Sequence, residues 1–293
     1  MIGGSDPLSA DEDPCASGAL QQRIVRCRAD TWIGYGRAMA LLQHLEDLLG
    51  WPRNSRMPSL LVIGEPGIGK TQINAKFGRD HPPQFDADRG RRVMPVVSVQ
   101  VPAATSDRLF WTALLRAVDA VFPPRLGIAE LMFMVLRIYR DVGVRMILFD
   151  EAHNMLSGSP REQRRILTHL RYLSNELRVT LVCFGTVAAR EAIASDPQLA
   201  RRFGQYELPA WQADGDFESL VATALHHMPL TRPSVLDPSD LRAIVGATRG
   251  NTARVFQMLG DLSVRAIVSG EERVTPEMVA AWRPSIFDRD IAF

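Results

Sequence analysis

Gly64-Glu65-Pro66-Gly67-Ile68-Gly69-Lys70-Thr71 is the stretch that decides the fold of this chain. A glycine, four residues, then glycine, lysine and threonine is the full phosphate-loop spacing. The chemistry requires those residue types. Glycines let backbone N–H groups wrap phosphate oxygens, and the N-terminus of a following helix adds a favourable dipole. Lys70 is suited to neutralise the β and γ oxygens of a nucleotide, and the Thr71 hydroxyl to ligate magnesium. The flanks agree. Residues 60–63 are a short apolar run between Pro58 and Gly64, the pattern of a buried strand, and a helix is expected to open at the lysine.

Downstream, Met146-Ile147-Leu148-Phe149-Asp150-Glu151 reads as a second buried strand that delivers two adjacent carboxylates at its end. A strand ending in two acids is common by itself. Behind a phosphate loop, with a helix and a strand between, it takes a specific meaning. Asp150 is expected to hold Mg²⁺, directly or through water, and Glu151 to polarise the attacking water as general base. No Asn-Lys-x-Asp run follows to read guanine. ATP is therefore the expected nucleotide.

Further apolar runs at residues 95–101, 179–184 and 206–208 complete a set of five strands. Helical spacing marks residues 37–49, 107–120 and 129–139. This alternation predicts an α/β fold, a central parallel five-stranded sheet between helices. After Trp211 only helical patterns recur, at 216–228, 238–246, 251–268 and 276–281, which predicts a small all-helical C-terminal lid domain. The expected division is a disordered acidic tail at 1–19, a nucleotide-binding domain at 20–210 and the lid at 211–293. Residues 80–92 read as a polar loop.

Composition narrows the class. An apolar fraction of 46% and a charged fraction of 23% are those of an ordinary globular chain. No apolar run approaches the length of a membrane span, and the first residues lack the layout of a secretory signal. No membrane partner and a cytoplasmic location are expected. The net charge of +1 decides nothing about nucleic acid, since only a local patch matters. Cys15, Cys27 and Cys183 have no metal-ligand spacing and are an odd number for a disulfide framework. Cys183, inside an apolar run, is expected to be a buried, inert thiol.

Other residues carry two readings each. Thr186 follows the fourth apolar run, where a polar group lies beside the γ-phosphate and reports its loss; it also suits the N-cap of the next helix. Arg201 and Arg202 precede the last strand, as a trans-acting finger for a neighbour's nucleotide or as a plain solvated pair. Arg254, in Gly250-Asn251-Thr252-Ala253-Arg254, is either a lid arginine that contacts the γ-phosphate in cis or an exposed helix arginine. Arg161, Arg164, Arg171 and Arg178 recur at helical spacing, opposite Ile166, Leu170, Leu173 and Leu177. That stripe is a solvated face or a track for nucleic-acid phosphates, to which Arg89, Arg91 and Arg92 would add.

The order of these parts resembles that of AAA+ P-loop ATPases. At finer grain, Trp32-Ile33-Gly34-Tyr35, Arg56-Met57-Pro58, Asp80-His81-Pro82-Pro83, Gly158-Ser159-Pro160-Arg161-Glu162-Gln163-Arg164-Arg165, Leu173-Ser174-Asn175-Glu176-Leu177 and Gly185-Thr186 resemble the TniB family. These are AAA+ ATP-binding proteins of bacterial transposons, related to the TnsC transposition regulators. The resemblance spans residues 25–260 and departs at Pro66-Gly67-Ile68, where members often carry polar residues.

The resemblance implies ATP and Mg²⁺ binding, hydrolysis, and homo-oligomeric rings or filaments on double-stranded DNA of any sequence. It also implies a DDE transposase partner, TniA-like, and a TniQ-like target-selection protein. By position, Trp32 and Ile33 match the segment packed near adenine, although Trp32 also suits a core or hinge aromatic. Lys70, Thr71, Asp150, Glu151, Thr186, one of Arg201 and Arg202, and Arg254 match the nucleotide-site roles. DNA contacts do not transfer by position, because those loops vary. The expected function is an ATP-dependent regulator of DNA transposition that assembles on target DNA, recruits or activates the transposase, and is reset by hydrolysis. The alternatives are a DNA-replication loader or IstB-like helper, and a nucleotide-bound scaffold without turnover.

Overall fold

The computed structural model describes residues 14–88, 90–104 and 106–283. They form two compact units: Gly34–Ala210, and a second that joins the segment ending at Ile33 to the residues from Trp211 onward. The first helix, α1 (Pro14–Arg28), belongs to the second unit.

The unit Gly34–Ala210 begins with α2 (Gly36–Leu49), β1 (Ser59–Ile63) and α3 (Lys70–Asp80). An antiparallel hairpin of β2 (Gln84–Asp86) and β3 (Arg91–Val93) precedes β4 (Val96–Gln100). Helices α4 (Asp107–Arg116) and α5 (Ile128–Asp141) lead to β5 (Met146–Asp150). A 3₁₀ turn (Ala152–Leu156) then enters α6 (Pro160–Leu177), followed by β6 (Thr180–Gly185) and α7 (Val187–Ala194). The short α8 (Pro197–Ala200) and β7 (Phe203–Glu207) close the unit.

Five of these strands form one parallel sheet in the order β4-β5-β6-β1-β7, flanked by helices, the architecture of an AAA+ nucleotide-binding unit. Strands β1, β5 and β6 are buried at every residue, which is why they read as unbroken apolar runs. The edge strand β7 differs. It exposes Gly204, Gln205 and Glu207, so no apolar run marks its start. The sequence places this strand at residues 206–208, and the structure begins it at Phe203.

Helix α6 shows how local chemistry sets an element. Ser159 and Glu162 form a reciprocal capping box, with the Ser159 N–H donating to Glu162 Oε2 at 2.8 Å, and Pro160 occupies the first turn. Ile166, Leu170, Leu173 and Leu177 are buried on the opposite stripe, each contributing about 1.5–3 kcal/mol. The core they join holds Phe110, Trp111, Tyr139 and Phe149. The Tyr139 hydroxyl donates to the Leu114 carbonyl at 2.9 Å, which satisfies the one polar atom that its burial would strand.

Residues 80–92 are not a structureless loop. Two three-residue strands are too short and too exposed to announce themselves, and arginines fix them. Arg91 Nη1 donates to the Asp141 carbonyl at 3.0 Å, and Arg92 bonds Asp119 Oδ2 at 3.2 and 3.3 Å.

The second unit is helical among its described residues, with α9 (Gly215–His227), α10 (Pro238–Thr248), α11 (Thr252–Val268) and α12 (Pro276–Ala281). Its N-terminal helix corrects one expectation. Pro14 to Ala19 open α1 and are no tail, while residues 1–13 lie outside the described residues. Residues 20–33 accordingly group with the helices and not with the sheet. Tertiary contacts explain it. Gly260 of α11 lets the Cys27 carbonyl approach so closely that a Cβ there would lie 2.8 Å from it. Arg23 grips the other end, bonding both Glu272 and the Pro229 carbonyl. No helix among the described residues is long and apolar enough to cross a membrane.

Candidate active site

Three adjacent strands bring the phosphate loop and the acid pair to one edge of the sheet. Ile63 pairs with Gly185 and Phe149 with Cys183, so the chain leaves β1, β5 and β6 side by side. The Gly64 N–H donates to the Gly185 carbonyl at 3.2 Å and ties the loop's first residue to the end of β6. This is the carboxyl edge of a parallel sheet where strand order reverses, the place where open α/β folds bind ligands.

The loop is built for phosphate. Gly67 and Gly69 take φ of 77° and 104°, values that side chains resist and that let successive N–H groups form an anion nest. A Cβ on Gly64 would sit 2.7 Å from Ile68 Cγ2 and 2.9 Å from the Leu208 carbonyl, so only glycine fits. Gly69 caps α3 without a side chain, which leaves the first-turn N–H groups for a ligand. Glu65, Pro66 and Gly67 are exposed, and Ile68 is buried beneath them.

Lys70 is buried, and its Nζ donates to the Gly64 and Glu65 carbonyls at 2.7 and 2.9 Å. Burial lowers its pKa, against the attraction of Glu151, Asp150 and Glu65. The Asp150 carboxylate is buried, and its Oδ1 accepts the Glu151 N–H at 2.9 Å. Thr71 is exposed in the first turn of α3. A carboxylate and a hydroxyl are the hard oxygen donors that Mg²⁺ takes. Together with the glycine cradle they fit a nucleotide triphosphate and its metal.

Glu151 holds φ 53° and ψ 42°, a left-handed conformation costly for any residue but glycine. Its Oε2 lies 3.3 Å from His153 Nδ1. The sequence reading passes over His153; the run Asp150-Glu151-Ala152-His153 is the signal that locates it. Thr186 occupies the N-cap of α7, yet its side chain makes no capping hydrogen bond. Its hydroxyl is not committed to the helix.

Within the unit Gly34–Ala210, the two arginines expected at a nucleotide site lie apart from the loop. Ser59 pairs with Phe203, and the Ser59 N–H donates to the Arg202 carbonyl at 2.9 Å. Arg201 and Arg202 thus stand at the amino edge, one strand length from the loop, roughly 13 Å at about 3.3 Å per residue. Arg202 Nη1 donates to Asn175 Oδ1 at 2.7 Å. Arg201 is exposed, and its side chain makes no hydrogen bond or ion pair among the described residues. Half-buried Trp32 and buried Ile33 belong to the helical unit, as does Arg254, whose N–H donates to Asn251 Oδ1 at the start of α11.

The arginine stripe divides. A cavity of about 610 Å³ at the start of α6 is lined by Ser159, Arg161, Arg164, Arg165, Thr168 and His169, among others. Arg161 and Arg164 are exposed and make no side-chain bond among the described residues. Arg165 lies 3.6 Å from Asp107, which also faces His169 at 3.3 Å. Arg171 turns away and bonds Asp196 and Gln198 at 3.4 and 3.1 Å. Arg91 and Arg92 anchor the hairpin, and Arg89 lies outside the described residues.

Sheet order, phosphate loop and acid pair define the chain as a member of the AAA+ class of P-loop NTPases. The family model for the bacterial TniB protein matches residues 23–213, and the chain belongs to that family. No curated protein sequence matches it. Among solved structures it is similar to the ORC1 protein of Aeropyrum pernix in complex with DNA, with 23% identity and a TM-score of 0.63 over 88% of this chain and 68% of that one. It is also similar to CDC6P of Pyrobaculum aerophilum, with 19% identity and a TM-score of 0.60 over 86% and 68%. For the RuvB Holliday junction branch migration motor of Thermotoga maritima the identity is 14% and the TM-score 0.51, over 87% and 71%. At these identities the likeness is one of fold.

Proposed function

We propose that this chain is an ATP-dependent regulator of DNA transposition. It assembles on double-stranded target DNA, recruits or activates a TniA-like DDE transposase, and is reset by hydrolysis. The observation that carries this reading is the convergence of phosphate loop, acid pair and uncommitted Thr186 on one sheet edge, in a chain of the TniB family. A TniQ-like target-selection protein is the third partner, and the cytoplasm is the place of action.

The residues divide the work. The loop from Gly64 to Thr71 cradles the triphosphate, and Lys70 compensates its β and γ charge. Asp150 and Thr71 hold Mg²⁺, which supplies charge neutralisation on the phosphate oxygens. Glu151 takes a proton from water as the water oxygen bonds the γ-phosphorus. The bond from that phosphorus to the β–γ bridging oxygen breaks, and its electron pair leaves with ADP. Thr186 senses the γ-phosphate, and Arg254 serves as lid arginine.

Arg201 is the trans-acting finger in this account. At the amino edge it is far from its own loop, and it is unbonded where Arg202 is tied to Asn175. The cavity at the start of α6 receives DNA phosphates through Arg161 and Arg164, which makes binding independent of sequence. ATP turnover by wild type and by Glu151→Gln tests the enzymatic part. Loss of turnover with retained ATP binding is expected; equal turnover by both would reject Glu151 as base.

A further inference from the structure

His153 lies in the turn just past the acid pair, and it has no role in the scheme above. Its Nδ1 is buried and has no aligned hydrogen-bond partner, yet it stands 3.3 Å from Glu151 Oε2. A buried ring nitrogen left without an aligned acceptor is costly, and few native groups tolerate it without a reason. Contacts of catalytic carboxylates are often long outside the reacting complex and tighten within it.

The surroundings hold the backbone of this turn in place. The Asn154 side chain donates to the Val101 carbonyl at 3.1 Å, and the Asn154 N–H to the Glu151 carbonyl at 2.9 Å, which fixes the turn against β4. On its other side the turn lies against β6, where a Cβ on Gly185 would stand 3.4 Å from the His153 backbone nitrogen. Glu151 therefore has the His153 ring nitrogen beside its Oε2, on a turn whose backbone is tied down. It also feels the attraction of the Lys70 ammonium, to which it is the largest acidic contributor. A carboxylate on a left-handed residue, 40% exposed, has freedom to swing unless something holds it.

We infer that His153 is a positioning residue for hydrolysis, which aims the Glu151 carboxylate through its Nδ1–H. The inference rests on the reading that Glu151 is the base. Geometry separates it from a packing role. An asparagine amide nitrogen overlays the imidazole Nδ1, whereas a glutamine amide overlays Nε2 on the far side of the ring. His153→Asn should keep the bond to Glu151, and His153→Gln and His153→Ala should lose it.

The test measures steady-state ATP turnover and fluorescent-ATP affinity for wild type, the three His153 variants, Glu151→Gln and the double variant Glu151→Gln/His153→Ala. We expect kcat to fall about tenfold or more in His153→Ala and His153→Gln, with nucleotide affinity within about twofold of wild type. His153→Asn should recover most of the rate. In the Glu151→Gln background, His153→Ala should cost nothing further, because a residue that acts only through Glu151 has nothing left to act on. Turnover indifferent to His153, equal loss in Asn and Gln variants, or loss confined to affinity would overturn the inference while leaving Glu151 as base. Wild-type turnover equal to that of Glu151→Gln would instead remove the reading on which it rests.

Discussion

The Lys70 ammonium donates to the Gly64 carbonyl at 2.7 Å, so the loop's lysine is folded back on the loop's own first residue. A second bond, to the Glu65 carbonyl, completes the grip. Burial disfavours this charge, and two backbone oxygens compensate for it only in part. Triphosphate oxygens carry full negative charge, and charge-assisted bonds are roughly twice as strong as neutral ones. Nucleotide binding therefore exchanges weak acceptors for strong ones at the residue that joins loop to helix. In the proposed function, that exchange is what would make assembly respond to the nucleotide.

Arg201 and Arg202 should separate cleanly. Arg202→Ala removes the bond to Asn175 and should cost about 1 kcal/mol of stability, read as a lower Tm. Arg201→Ala should leave Tm unchanged and abolish turnover in the assembled protein. A mixture of Arg201→Ala and Glu151→Gln subunits should regain activity, because each supplies what its neighbour lacks and both still bind ATP. No regain on mixing would exclude action in trans.

DNA affinity should depend on Arg161 and Arg164 and not on Arg171 or Arg92. Each of the first two, replaced by alanine, should weaken duplex binding alike on all sequences and reduce the salt slope by about 1. Arg171→Ala breaks a part-buried bond to Asp196 and should lower Tm instead, while Arg92→Ala loses only an exposed pair with Asp119 and should leave Tm nearly unchanged. Fluorescence anisotropy across a salt series decides it.

Alkaline stability depends most on buried Cys183 and Tyr139 and half-buried Tyr35, with buried Cys27 adding in the same direction. Burial pushes the Cys183 thiol well above its ordinary 9.0, raises the Tyr139 phenol likewise, and pushes Tyr35 up to about 12. The folded chain keeps these protons where the unfolded chain gives them up. Stability is thus full below the unfolded values and falls as pH rises past them, by up to about 1.4 kcal/mol per pH unit for each group. Thermal melts should hold level to about pH 9 and decline above it. Cys183→Ala should flatten the first part of that decline, and Tyr35 and Tyr139 should steepen it past 10.0. An unchanged profile in Cys183→Ala would reject the assignment.

How much of this was legible in the sequence varies with the physics behind each part. The phosphate loop was plain, because Gly67 and Gly69 sit at dihedrals that few other residues can hold. Strands β5 and β6 were plain because burial on both faces forces unbroken apolar runs. The β2–β3 hairpin was not, since its residues are exposed and its anchors, Asp119 and Asp141, lie elsewhere in the chain. Helix α1 was hidden for a like reason: its hold on Gly260 and Glu272 is tertiary. Adjacent arginines look alike in sequence. In the structure Arg202 is half-buried and bonded to Asn175, whereas Arg201 is exposed.

The central claim is that the triphosphate, through Lys70, governs assembly on DNA. Its most direct test is negative-stain microscopy of the protein with double-stranded DNA, in ATP–Mg²⁺ and in ADP–Mg²⁺, for wild type and Lys70→Ala. Ordered rings or filaments on DNA in ATP alone, lost in Lys70→Ala, are the predicted result. Monomers with either nucleotide, in protein shown to bind ATP, would contradict it.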